Sequence, residues 1–278
     1  MLKGPFLDRN FIGSTDDFES SDIVMLGMPY DCTCSNRPGT RFAPQLIRVE
    51  SVGIETYSPY FDKDIQDIKF YDAGDLEFPF GNAKKALKII QENVDCIYSK
   101  NKKILGVGGE HLMTLAEIEA IKKYYKNLAV IQFDAHTDLR DEYLGEELTH
   151  SGVMFQIAKL IGYENIAQIG IRSGEREEFR IMQKYSTQKF SPADLNDFKD
   201  KNIFITIDLD VLDPSLMSGV GTPEAGGFSY LELIEWLKYL KNFNIVGIDI
   251  MELAPDIDIT KTSTATACKL IRECLTLL

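Results

Sequence analysis

The chain predicts an α/β fold in which helices cover both faces of a mostly parallel central sheet, and three features carry that prediction. Short apolar runs recur along the sequence, helical patterns fall between them, and the runs are continuous, as in strands buried on both faces. At 278 residues the chain is long enough for one large core, and no linker, repeat or composition break divides it. One domain over residues 1–278 is expected.

The elements read in order. Ile23-Val-Met-Leu-Gly-Met28 is an apolar strand stopped by Pro29, and a loop with Ser35-Asn-Arg-Pro-Gly39 leads to a helix near Pro44 to Val49. Ile68 to Asp72 is the next strand. Beyond Gly81, residues Ala83, Ala86, Leu87, Ile90, Val94 and Ile97 recur at helical spacing. A strand from Ile104 ends in Gly108-Gly-Glu-His111, and Thr114 with Glu117 reads as a capping box opening the helix that follows. Leu128 to Phe133 is a strand, and Val153-Met-Phe-Gln-Ile157 begins a helix. Further strands are expected at Ile166 to Ile171, Ile203 to Ile207 and Ile245 to Met251. Ser229 and Glu232 repeat the capping pattern, and a last helix covers Thr264 to Leu275. The Gly- and Pro-rich Asp213 to Phe228 segment is read as an active-site loop.

A formal net charge of −13 argues against nucleic acid and anionic membrane as partners and suits a cationic ligand. Met1-Leu-Lys-Gly-Pro-Phe6 lacks the basic start and apolar core of a leader, and no segment reaches the roughly 20 apolar residues of a membrane span, so a cytoplasmic location is expected. The cysteines Cys32, Cys34, Cys96, Cys268 and Cys274 are odd in number and lack metal-type spacing; reduced thiols are expected. A redox role for Cys32 and Cys34 is the alternative.

Chemistry concentrates at three strand ends. Asp134-Ala-His136-Thr-Asp138 follows one apolar run, Asp208-Leu-Asp210 closes another, and His111 ends a third. Side chains two apart in an extended chain point the same way, so Asp134, His136 and Asp138 are expected to converge. Four crowded aspartates repel one another and lose hydration, a penalty that a cation removes. Oxygen-rich ligands with a few imidazoles suit Mn²⁺ better than a thiolate-selective ion. Six ligands exceed what one ion that also holds water needs, which points to two ions sharing a water of lowered pKa. Asp134 and Asp208 would bridge, with His111 and Asp138 completing one ion and His136 and Asp210 the other. Taken singly, an Asp-x-Asp pair is as readily a turn or a helix cap.

Two further residues border this set. His150 either caps the helix it precedes or, on a loop beside a metal site, moves protons to a leaving amine. Glu252 either pairs with an arginine or grips a planar guanidinium through two parallel hydrogen bonds. Asp249 lies three residues earlier on the opposite face and has no assigned role.

Together these motifs resemble the ureohydrolase family, the manganese enzymes related to arginase and agmatinase. Gly108-Gly-Glu-His111, Asp134-Ala-His-Thr-Asp138, Asp208-Leu-Asp210 with Asp213-Pro214, Gly221-Thr-Pro223, Gly226-Gly227 and Met251-Glu252 match in order across nearly the whole chain. Within the family the chain is most similar to the agmatinases, through Pro29-Tyr-Asp31, Ser35 to Arg41, Ile47-Arg48 and Glu252-Leu-Ala-Pro255. The resemblance implies a three-layer α/β/α sandwich, two Mn²⁺ ions, a homotrimer or homohexamer, and hydrolysis of agmatine to putrescine and urea with His150 and Glu252 as catalytic residues. The loop Leu139-Arg-Asp-Glu-Tyr143 is acidic, as an amine tail requires, although Arg140 would suit a carboxylate. The alternatives are the same reaction on guanidinobutyrate, aminopropylagmatine, guanidine or arginine, a single-zinc amide deacetylase of the same fold, and a non-catalytic metal-stabilised protein.

Overall fold

The computed structural model describes residues 10–278, so the Met1 to Phe6 stretch lies outside the described residues. The strands are β1 (Ile23–Met28), β2 (Tyr57–Ser58), β3 (Lys63–Asp64), β4 (Phe70–Asp75), β5 (Lys103–Gly108), β6 (Leu128–Phe133), β7 (Ile166–Ile169), β8 (Gln188–Lys189), β9 (Asn202–Asp208) and β10 (Asn244–Met251). The α-helices are α1 (Ala43–Ser51), α2 (Ala83–Ser99), α3 (Thr114–Ile121), α4 (Val153–Ile161), α5 (Arg176–Tyr185), α6 (Tyr230–Leu240) and α7 (Thr262–Leu275).

Among the described residues the central sheet has eight strands in the order β4-β1-β5-β10-β9-β6-β7-β8, and every neighbouring pair is parallel. Alternate residues feed two separate cores. Ala129, Ile131 and Phe133 of β6 and Ile203, Ile205 and Ile207 of β9 pack with α1, α6 and α7. Leu128, Val130 and Phe204 face the other way, onto α2, α3 and α4. Burial on both faces explains the unbroken apolar runs, and the result is the α/β/α sandwich. No helix among the described residues is long and apolar enough to cross a membrane.

Several expectations are corrected. The strand placed at Ile68 to Asp72 starts at Phe70 and runs to Asp75, and the one placed at Ile166 to Ile171 ends at Ile169. The β2–β3 hairpin, α5 and β8 were not anticipated; half of the ten residues of α5 are charged, and only Phe179, Ile181 and Met182 supply apolar contact to the core. Ser229 and Glu232 do form a capping box, but Thr114 and Glu117 do not. Helix α3 continues directly from the turn His111–Met113, so its first N–H groups need no side-chain cap, and both residues are buried against the sheet.

Arg48 ties α1 to β4. Its guanidinium is buried and donates to Asp72 from Nε at 2.7 Å and from Nη2 at 2.8 Å, to Asp75, and to the carbonyls of Pro44 and Gly74. Removing the cation strands the Asp72 carboxylate, which is itself buried. Arg48→Ala is expected to lower unfolding free energy by about 3–5 kcal/mol, measured as a shifted urea midpoint; a change under about 1 kcal/mol would show that water replaces the pair.

Candidate metal centre

Each candidate side chain is delivered by the carboxyl end of a central strand, where ligands gather in open α/β sheets. Gly109 follows β5 so close to β1 that a Cβ would lie 2.0 Å from the Tyr30 carbonyl, and this approach turns the chain towards His111. The Glu252 N–H donates to the Gly109 carbonyl at 3.0 Å, locking the ends of β5 and β10 together. Asp134 follows β6, and its N–H reaches the Ile169 carbonyl. Asp208 closes β9, and its Oδ1 accepts the Asp210 N–H at 2.9 Å, which curls Asp210 back to the same place.

The convergence of Asp134, His136 and Asp138 does not come from strand alternation, because β6 ends at Phe133 and Asp138 adopts φ 52°. Glu252 has φ 66°. Both are left-handed conformations that a non-glycine residue adopts at some strain, held here by surrounding contacts.

The side chains assemble into two groups, His111-Asp134-Asp208 and Asp134-His136-Asp210, with Asp134 common to both. His111 Nδ1 is 3.1 Å from Asp134 Oδ2, 3.2 Å from Asp138 Oδ2 and 3.3 Å from Asp208 Oδ2. His136 Nδ1 is 2.9 Å from Asp210 Oδ2 and 3.6 Å from Asp134 Oδ1. Despite its three close carboxylates, the fully buried His111 Nδ1 has no hydrogen-bond partner of acceptable direction. An imidazole nitrogen ringed by carboxylate oxygens that it does not hydrogen-bond fits a cation between them.

The electrostatics agree. Burial opposes a charge on His136, but Asp134 and Asp210 overcome it and raise the imidazole to about 12. Burial likewise disfavours a charged His111, and Asp134, Asp138 and Asp208 outweigh it. Burial first, then Asp134, lifts Asp138 to about 6, and burial with Asp210 and Asp134 pushes Asp208 well above the carboxylate range. Without a cation, protons neutralise the cluster.

A layer of polar residues that sequence reasoning missed lies directly beneath. Gly106, Asp249, Thr206, Gln132 and Gln168 sit side by side in register across β5, β10, β9, β6 and β7. Gln132 Nε2 donates to Asp134 Oδ2 at 2.7 Å, and Gln168 Nε2 donates to Gln132 Oε1 at 2.7 Å. Thr187 Oγ1 donates to Gln168 Oε1, and Thr206 Oγ1 is 2.8 Å from His111 Nε2. Such partners orient ligands and tune their basicity. The signal was present: each interrupts an otherwise apolar strand.

His150 and Glu252 stand on the open side. Glu252 is buried; its Oε1 accepts the His111 N–H at 2.8 Å and lies 3.5 Å from His150 Nδ1. The His150 pair identified from the sequence is thus brought together with the six candidate ligands. Glu110, raised to about 7 by burial despite donors from Thr33, accepts the Thr33 N–H at 2.7 Å and its hydroxyl at 2.6 Å. That brace sets the following Ser35 against His150, with the Ser35 N–H 3.1 Å from Nε2. Cys34 is held far above the ordinary thiol range by burial and by Glu252 and Glu110, which leaves it little thiolate character.

These groups open into a cleft of about 300 Å³ whose outer wall carries Arg140, Tyr143, Glu175 and Glu178. Arg140 is engaged there: Nη2 is 3.3 Å from Glu175, Nε is 3.9 Å from Glu178, and the guanidinium lies over Tyr143. Across the cleft Arg172 donates to the carbonyls of Asp210, Glu224 and Ala225, pinning the Asp213 to Phe228 loop, and Thr222 reaches Asp210.

Because His136 and His111 carry raised pKa values, both hold protons at neutral pH that a divalent cation must displace. Apparent affinity is therefore expected to weaken about tenfold per pH unit for each proton released as pH falls. The fall steepens below about 6, where Asp138 also becomes neutral. Calorimetric Mn²⁺ titrations in buffers of different ionisation enthalpy measure the protons released; pH-independent binding without proton release would contradict the arrangement.

The arginase family model matches residues 21–277. An agmatinase from Bacillus subtilis is 43% identical over 274 residues, covering 95% of this chain and 94% of that protein. An agmatinase from Bacillus anthracis is 42% identical with the same coverage. The crystal structure of a candidate agmatinase from Clostridium difficile superposes with a TM-score of 0.90 at 43% identity, over 94% of this chain and 98% of that one. The chain belongs to the arginase family.

Proposed function

We propose that this protein is an agmatinase, a ureohydrolase that converts agmatine to putrescine and urea with two Mn²⁺ ions. The observation that carries the reading is one buried carboxylate, Asp134, shared by two imidazole–carboxylate groups beneath a cleft lined by His136, Asp138, Asp208 and His150, with Glu252 3.5 Å from His150. His111 and Asp138 would hold one ion and His136 and Asp210 the other, with Asp134 and Asp208 serving both. When bound, the ions bring the pKa of a shared water towards neutrality and supply charge for the transition state. The chain acts as one domain, as a homotrimer or homohexamer, and its unpaired cysteines suit the cytoplasm.

Glu252 grips the guanidinium and holds its carbon over the site. Its backbone tie to Gly109 and its acceptance of the His111 N–H fix that carboxylate relative to the first group of ligands. Asp138, at the cleft floor, receives the N–H groups that gain tetrahedral character as the carbon is attacked.

Two influences on His150 oppose each other before substrate arrives. Burial disfavours its charged form, yet Glu252 raises it to about 9, whereas the Ser35 N–H aims at Nε2, a lone pair that only the neutral ring offers. Both states carry the proton on Nδ1. A guanidinium on Glu252 neutralises that carboxylate and draws His150 down towards neutral pH, where it passes a proton to the departing amine.

The tail is selected by charge. Arg140 would anchor a carboxylate if free, but Glu175 and Glu178 hold it, so the outer wall carries one net negative charge and suits the agmatine ammonium. Mn²⁺-loaded protein is expected to release urea from agmatine with kcat/KM about 100-fold or more above that for arginine or guanidinobutyrate. Comparable turnover of guanidinobutyrate would transfer the assignment to a carboxylated substrate. His150→Asn is expected to cut kcat by about 100-fold or more with bound Mn²⁺ unchanged; full activity in that variant would remove His150 from the proton path.

A further inference from the structure

Two fully buried carboxylic groups, Glu117 of α3 and Asp249 of β10, meet one layer beneath the metal centre, where α3 packs on the sheet. Room for the meeting is made by Gly106, the register neighbour of Asp249: a Cβ there would lie 2.6 Å from Glu117 Oε1 and 2.9 Å from the Asp249 Cβ. Both Glu117 oxygens and Asp249 Oδ1 lack a hydrogen-bond donor, although the two carboxyl groups are within bonding reach of each other. Among the described residues neither a lysine nor an arginine acts on them; their titratable neighbours are Tyr98, Cys274 and His111. Tyr98 spends its hydroxyl proton on the Val246 carbonyl.

Two carboxylates in contact inside a core, with no donor between them, are strongly repulsive. One proton between them removes the repulsion and engages one Glu117 oxygen with Asp249 Oδ1. Burial and Asp249 both favour the proton on Glu117; burial raises Asp249 as well, but there Glu117, His111 and the hydroxyls of Thr206 and Thr114 oppose it. Asp249 Oδ2 accepts from Thr114 Oγ1 at 2.7 Å; Thr114 Oγ1 is 3.4 Å from Thr206 Oγ1, which is 2.8 Å from His111 Nε2.

We propose that Glu117 is a positioning residue that shares a proton with Asp249. The singly charged pair, acting through the hydroxyls of Thr114 and Thr206, retains the Nε2 proton of His111, so that the proton a cation displaces is the one on Nδ1. The direction of donation follows from the charge. Each threonine O–H points towards the anion, so the Thr206 oxygen accepts from His111 Nε2, and the ring presents Nδ1 to the metal site. Without the Glu117 proton, Asp249 takes one up itself and becomes a donor, the hydroxyls reverse, and His111 gives up its Nε2 proton more readily than the Nδ1 proton a cation must displace. The proposal rests on the reading of His111 as a ligand.

The test compares wild type with E117Q, whose amide replaces the proton donor, and E117L, which has none. Infrared spectra of metal-free and Mn²⁺-loaded wild type are expected to contain a protonated-carboxyl stretch that E117Q removes. Calorimetry is expected to give Mn²⁺ binding about tenfold or more weaker in E117L and within about threefold of wild type in E117Q. Absence of that stretch, wild-type affinity in E117L, or equal impairment of both variants would each overturn the proposal. The infrared arm needs neither a foldable E117L nor a bound metal. It therefore tests the shared proton even if wild type binds no Mn²⁺, a result that would strike only the metal reading.

Discussion

Four aspartates buried within a few ångströms of two imidazoles form the constraint to which the rest of this molecule answers. Asp134, Asp138, Asp208 and Asp210 have lost water and face one another. Only positive charge makes that tolerable, whether from protons on His111 and His136 or from cations in their place. Asp134 is the hinge of the arrangement because its Oδ2 approaches His111 and its Oδ1 approaches His136. A displacement of this one carboxylate disturbs both groups together, and the structure spends a glutamine, Gln132, on holding it.

The sheet supplies the rigidity. Parallel neighbours, in unbroken register from Gly247 of β10 onward, bring the carboxyl ends of β5, β10, β9 and β6 to one edge, and the polar row one layer down links those ends sideways. Side chains in that row are enclosed, so each hydrogen bond is made in a medium where leaving it unmade is costly. On one flank the row braces Asp134 through Gln132, Gln168 and Thr187. On the other it braces His111 through Thr206, Thr114 and Asp249.

Loops decide what reaches this rigid floor. Glu110 anchors the segment carrying Ser35, Arg172 pins the segment carrying Thr222, and Asn36 donates to the Gly221 carbonyl, so the two walls are fastened to each other. Arg140 illustrates why composition alone misleads about specificity. Its charge is present in the cleft but already satisfied, and the groups that satisfy it belong to α5 and the residue before it, a short segment with few apolar residues.

The sequence by itself determined the parallel sheet and the six candidate ligands with His150 and Glu252, because burial on both faces writes continuous apolar runs and strand ends place their polar residues immediately after them. It misread Thr114 and Glu117, which fit a capping box locally, since nothing nearby in the chain reveals that Asp249 and the side-chain-free Gly106 wait across the sheet. The side-by-side pairing of the row's members and the occupancy of Arg140 were likewise beyond it. Contacts between strands distant in the chain depend on sheet order, and sheet order is settled by packing of the whole rather than by any local pattern.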